Sequence, residues 1–255
     1  MSNALVTVIV VPIRLVGDEL SVWVERGSEG TAALPRAPLG AQEDEGRAVA
    51  RLVRDLPFAG EVKRFASCGT ASAPDRVKAT REVALVSWAA VRPSPARTGE
   101  VSDHGGDWHS LRSLPPFVDD HGSILVMALE HLQREILHDP VTRRLLPRHL
   151  LRSAADSFGP NSRVAEQAPI LFTLLPDPFP LSAIRRFYES LTRAPIDRGN
   201  FRRKLVELRP TGVVKELPLF QRGVRHRAAQ LFTFDPHAWE RWTRGELNGN
   251  GVHES

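Results

Sequence analysis

A chain of 255 residues with 42% hydrophobic and 25% charged residues has the composition of a folded globular protein and is long enough for two domains. No apolar run approaches the roughly 20 residues a membrane span needs, and a single cysteine, Cys68, excludes an internal disulfide and any cysteine-rich metal site. The formal net charge is only +4, yet between residues 195 and 230 nine Arg or Lys stand against three Asp or Glu, a local excess that points to a polyanionic partner. The opening MSNALVTVIVVPIRL lacks a basic n-region and a cleavage signal and reads better as a strand, and the single cysteine makes a reducing cytoplasm the expected compartment. The preference for Arg over Lys, with abundant Ala and Pro, matches the coding bias of a high-GC bacterial genome.

Residues 6–15 and 19–27 read as strands joined by a turn at Val16-Gly17-Asp18. Residues 43–56 read as a helix: Val49, Leu52, Val53 and Leu56 fall at i, i+3, i+4 and i+7, and Pro57 ends it. Strands follow at 61–69 and 81–91, and 92–108 reads as loop. Residues 123–137 form a helix with Ile124, Met127 or Ala128, Leu132 and Ile136 on one face. The polar, punctuated stretch within 139–165 reads as an insert or linker. Three helices are expected at 166–175, 180–192 and 197–208, then the segment 211–218, a basic turn, and a strand at 228–234. The tail 246–255 is expected to be disordered.

Three short helices followed by a two-stranded hairpin are the layout of a winged helix-turn-helix. In DRGNFRRKLVEL the inward face is Phe201, Leu205 and Leu208, while Arg198, Asn200, Arg202, Arg203 and Lys204 supply the rest. Arg bonds guanine O6 and N7 bidentately, Asn bonds adenine N6 and N7, and any of the cations reaches phosphates. Arg222, Arg225 and Arg227, with His226, occupy the hairpin tip, where a wing meets DNA. A solvated basic helix beside a basic turn is the bland alternative; the two elements together favour DNA. Trp239 and Trp242 read as a cap packed on this module, with a base-stacking platform as the competing reading.

Several phrases resemble the Nudix-related transcriptional regulators of the NrtR family. They are VWVERG, ALPRAP, RVKATREVALVSWAAVRP, DDHGSILVMALEHLQREI, and above all APILFTLLPDPFPLSAIRRFYESL followed by IDRGNFRRKL. The resemblance runs from about residue 5 to residue 236, with 139–165 as a departure. It implies a Nudix box, G-x5-E-x7-R-E-U-x-E-E-x-G-U. Aligned on ALPRAP, the first Gly falls at Ala37, the first Glu at Glu43, the Arg at Arg51, the next Glu at Leu52, the Glu pair at Asp55 and Leu56, and the last Gly at Phe58.

Three helix carboxylates at i, i+3 and i+4 share one helix face, where they hold the hard divalent cations of a hydrolase. Here that face presents Leu52, Asp55 and Leu56, so two of the three ligands are apolar. Glu43, Asp44 and Glu45 sit at the helix N-terminus, where anions suit the dipole without a metal. Arg36, where the implied loop has glycines, is a candidate phosphate contact together with Arg26 or Arg51. Structural alternatives are an ion pair for Arg51 and a solvated strand end for Arg26. Arg81 and Glu82 head the strand that the resemblance places along the ligand groove. Trp88 reads as core, with stacking on an adenine as the competing reading, and His121 reads as a satisfied capping or core histidine rather than a ligand.

The expected fold is α+β: a Nudix-fold α/β/α sandwich with a mixed sheet at 1–118, a linker helix and insert at 119–165, and a winged helix-turn-helix at 166–245. The expected function is that of a DNA-binding transcriptional regulator. Its Nudix-like domain is catalytically inactive and uses Arg26, Arg36, Glu43, Arg51 and Arg81 for a nucleotide-type metabolite such as ADP-ribose. By resemblance it is a cytoplasmic repressor of NAD or sugar metabolism genes, acting as a homodimer on double-stranded operator DNA, with no metal, cofactor or membrane. The competing classes are an active Nudix hydrolase of nucleoside diphosphate derivatives and a DNA-binding protein whose Nudix domain only dimerises.

Overall fold

A computed structural model describes residues 4–77, 80–93, 105–155, 168–221 and 228–246. The chain divides into two compact units, Met1–Gln133 and Arg134–Ser255. Among the described residues no helix is long and apolar enough to cross a membrane.

The first unit is built on β1 (Leu5–Val16), β2 (Glu19–Arg26), β3 (Ala32–Ala33), β4 (Arg36–Pro38), α1 (Glu45–Arg54), β5 (Val62–Ala71), β6 (Glu82–Val91), β7 (Gly106–Ser110) and the greater part of α2 (His121–His138), which runs on into the second unit from Arg134. Its described strands form one seven-stranded mixed sheet. β1 runs parallel to β6 and antiparallel to β2 and β4, and β5 runs antiparallel to β6. Burial on both faces explains why β1 and β6 are near-continuous apolar runs. Gly17, at φ 60°, makes the turn between β1 and β2 that its lack of a Cβ permits. α1 covers one face through Val8, Val10 and Ala89. α2 covers the other: Trp88 Nε1 donates to His131 Nδ1 at 3.1 Å, and Gly69 leaves room for Met127.

One expectation fails here. The sequence of 92–108 reads as loop, but its end forms β7, paired with β2 so that Trp108 lies opposite Trp23. Trp23, Phe58 and Trp108 pack at ring-centroid distances of 4.9–5.7 Å. That long-range aromatic contact outweighs the Gly-rich local sequence. Trp88 is fully buried, which closes it to stacking on a ligand.

The second unit comprises α3 (Pro140–Leu145), α4 (Arg148–Ala155), α5 (Ile170–Leu174), β8 (Phe179–Pro180), α6 (Leu181–Thr192), α7 (Arg198–Leu208), β9 (Val214–Phe220), β10 (Gln230–Phe234) and α8 (Pro236–Thr243). Its sheet has the order β8-β10-β9. Ile184, Phe187, Tyr188, Phe201, Leu205 and Leu208 fill the space between α6 and α7. α5 is shorter than the helix expected at 166–175, since Pro169 disfavours helical backbone at the residue before it. The stretch read as an insert contains α3, which packs on α7, and Thr142 Oγ1 lies 2.8 Å from the Tyr188 hydroxyl. Trp239 on α8 is buried, and Arg144 lies over the half-buried Trp242 at 5.1 Å, so neither ring is an open platform. The expected tail from 247 onward lies outside the described residues.

Candidate functional site

Asp44 caps α1 by accepting the Arg47 N–H at 2.8 Å, and Arg51 and Arg54 occupy its last turn. Ala48, Val49, Leu52 and Val53 pack on the sheet. Leu56, just past the helix end, joins Trp23, Phe58 and Val91. Leu52 and Leu56 therefore sit in the core, while Asp55 is exposed and its N–H bonds the Leu52 and Val53 carbonyls. A hard divalent cation wants several oxygens on one face. Two buried leucines and one outward carboxylate do not fit it. Among the described residues no three His, Cys, Asp or Glu converge as ligands.

The loop before α1 is closed by a bidentate pair. Arg51 Nε and Nη2 donate to Glu43 Oε1 and Oε2, each at 2.8 Å, and Nη2 also reaches the Pro38 carbonyl at 2.9 Å. Glu43 Oε2 accepts the Gly40 N–H at 3.0 Å as well. The Arg51 hydrogen bonds, followed by the Gly40 N–H, hold the Glu43 carboxyl at about 2. These two residues, both expected at a ligand, are committed to each other.

A second network lies at the heads of β6 and α2. Glu82, 4% exposed, accepts from Arg76 Nη1 at 2.7 Å and from Thr7 Oγ1 at 2.8 Å. Arg76 forks to Asp120 with two bonds of 3.0 Å, and the half-exposed Arg36 lies 3.8 Å from Glu82. Burial would raise the Glu82 carboxyl, but the bonds from Arg76 and Thr7 and the positive charges of Arg76 and Arg36 lower it overall. His121, the first residue of α2, is fully buried and accepts the Leu34 N–H at Nδ1, 2.8 Å away. Its proton is therefore on Nε2, which has no partner among the described residues. Burial, followed by the charge of Arg36, lowers its pKa. The loop carrying Leu34 and Arg36 is thus tied to the start of α2 directly through His121, and indirectly through Glu82, Arg76 and Asp120.

Arg81 braces the 72–73 turn, donating to the Ser72 and Ala73 carbonyls at 2.8 and 3.0 Å. Arg26 is exposed at the end of β2. The structure thus brings Glu43 and Arg51 together, puts Arg36 in a separate cluster, and leaves Arg26 and Arg81 outside both. Sequence reasoning missed Arg76 and Asp120. Arg76 lies in a Pro-and-polar connection without periodicity, and only the Asp-His phrase at 120–121 offered a signal.

In the second unit the order α5, β8, α6, α7, β9, β10 places α7 third in the set α5, α6 and α7, with a hairpin after it. Asp197 caps α7 through the Asn200 N–H at 2.7 Å. Arg198, Arg202 and Arg203 are exposed on the sides of α7 away from Phe201, Leu205 and Leu208, and Arg203 Nη2 donates to Asn200 Oδ1 at 2.9 Å. Lys204 is half-buried and donates to the Leu146 carbonyl at 3.0 Å.

Residues 171–234 match the model of the NrtR DNA-binding winged helix domain. This segment is an NrtR winged helix domain. The whole chain has the fold of Shewanella oneidensis NrtR, solved with a 27mer DNA: TM-score 0.66, 19% identity, covering 92% of this chain and 95% of that one. A second structure of that protein matches at TM-score 0.61 and 18% identity, with the same coverage. A MutT/nudix family protein from Enterococcus faecalis matches at TM-score 0.58 and 15% identity, covering 92% and 89%. No curated protein matches the chain. The chain therefore joins a Nudix-like mixed-sheet unit to an NrtR winged helix domain.

Within the winged helix domain α7 is the recognition helix by position, and its exposed face is cationic. Val206, one turn on from Arg202 and Arg203, is 49% exposed on the same surface. The wing-tip residues Arg222, Arg225 and Arg227 lie outside the described residues.

Proposed function

We propose that this protein is a transcriptional regulator, acting in the bacterial cytoplasm as a homodimeric repressor, whose Nudix-like unit senses a nucleotide-type metabolite such as ADP-ribose without hydrolysing it. The observation that carries this is the pairing of an NrtR winged helix domain with a Nudix helix whose metal face is core. Arg36 on the loop and Arg26 at the end of β2, both exposed, are the proposed phosphate contacts, while the Glu43–Arg51 pair closes the loop and Arg81 braces the 72–73 turn. A phosphate competing with Glu82 for Arg36 perturbs the cluster that holds Asp120 and His121 at the head of α2, and so favours one state of the linker helix over another.

The test is one titration series on the full chain with ADP-ribose, with and without Mg2+ or Mn2+. Binding heat together with release of a DNA duplex, and no product, is the expected result. Turnover that disappears in Asp55→Ala overturns the reading in favour of a hydrolase. Binding of DNA without any response to nucleotides favours the Nudix unit as a dimerisation body.

A further inference from the structure

Lys204 differs from the other cations of the recognition helix in where its charge goes. On α7 it stands three residues after Phe201 and four before Leu208, both buried, so it lies on the flank of the inward face. Arg202 and Arg203 point elsewhere and are exposed. The Lys204 ammonium reaches the carbonyl of Leu146, the C-cap of α3, at 3.0 Å. Carbonyls at a helix end have no partner within the helix, and a cation is a favourable one.

α3 itself is firmly built into this unit. Asp139 caps it through the Val141 and Thr142 N–H groups at 2.8 and 3.3 Å. Val141, Thr142, Leu145 and Leu146 are buried, and Thr142 is bonded to Tyr188 of α6. Tyr188 is fully buried, which raises its hydroxyl pKa and keeps it a neutral partner. α3 packs directly on α7. α3 lies N-terminal to the 171–234 span of the winged helix match, whereas its partners Tyr188 and α7 lie within it.

We propose that α3 is a brace for the recognition helix and that Lys204 is a positioning residue, holding α7 on the brace instead of neutralising a DNA phosphate. The rival role is a swing of Lys204 outward onto a phosphate when DNA docks. The two roles differ in one thermodynamic quantity. Each phosphate contact contributes about 0.9 to the slope of log affinity against log salt on duplex DNA, whereas a contact inside the protein contributes nothing to it.

The experiment uses the full chain and a mixed-sequence 30-base-pair duplex, titrated by fluorescence anisotropy across a salt series. Lys204→Met keeps the aliphatic stem and removes the charge; Arg202→Ala serves as the phosphate-contact control. Hydrogen exchange of the amides at 139–146 is followed in parallel. Lys204→Met is expected to bind about three- to tenfold more weakly, the loss of one such hydrogen bond, with the wild-type salt slope and faster exchange at 139–146. Val141→Ala, which loosens α3 without touching a charge, is expected to act in the same way. A slope lowered by about one in Lys204→Met, wild-type affinity in that variant, or unaltered DNA binding by Val141→Ala overturns the proposal.

Discussion

His121 is a single side chain whose role depends on two groups distant in sequence: the Leu34 N–H and the Arg36 guanidinium. Burial, with Arg36 adding to it, keeps the folded imidazole below its ordinary 6.5, while Asp119 and Asp120 oppose this and Arg76 reinforces it. In the folded protein it stays neutral where the unfolded chain takes up a proton. Its contribution to stability is therefore complete above pH about 6.5 and declines below it, by up to about 1.4 kcal/mol per pH unit, until the folded value is reached. Glu43, held at about 2, contributes above the usual carboxylate range and loses that contribution only as pH falls toward 2, outside this window. Urea unfolding at pH 7 and pH 5 should show a larger loss for the wild type than for His121→Asn, which cannot titrate there. Equal losses would assign the pH dependence to other groups. A sequence pattern identifies such a histidine as buried, but cannot name its donor 87 residues away.

At the scale of elements, α1 shows how a helix packs when two of the positions compared with metal-binding acids hold leucines. Leu52 and Leu56 follow the same i, i+4 spacing that carboxylates need, and the sheet absorbs both. Restoring one acid should then harm the fold without creating an enzyme. Leu52→Glu removes a buried leucine, which alone is worth about 2–5 kcal/mol, and puts a charge in an apolar cluster. Thermal unfolding should show a large drop in Tm, with no ADP-ribose turnover in Mg2+. Wild-type stability in Leu52→Glu would mean that the face is open to solvent after all. The elements legible in the sequence were those with a strong period, such as α1, α2, α6, α7, β1 and β6. β7 and α3 were not, because cross-sheet pairing with β2 and packing on α7 hold them, and neither shows in a short local window.

For the whole molecule the decisive feature is a cationic helix face presented by an NrtR winged helix domain. Replacing Arg202 and Arg203 together by Ala should abolish tight duplex binding and lower the salt slope by about two, with the circular dichroism spectrum unchanged. An unaltered slope would show that α7 does not meet the DNA backbone through these residues. If the first unit senses a metabolite as proposed, the start of α2 is where that unit meets the chain leading to the winged helix domain. α2 begins in the first unit, at the residues tied to the loop, and ends in the second.

The sequence by itself determined the class of fold, the winged helix module, the cationic face of α7 and the loss of two acids from the Nudix helix. Periodicity, composition and short phrases carry those features, because each depends on neighbours within one or two turns of chain. Only the tertiary structure decided which charges are spoken for. Arg51 is engaged by Glu43, Lys204 by Leu146, and Arg76 by Glu82 and Asp120. A guanidinium or ammonium reads the same in sequence whether it waits for a phosphate or already has a partner. That difference arises from contacts that only folding creates.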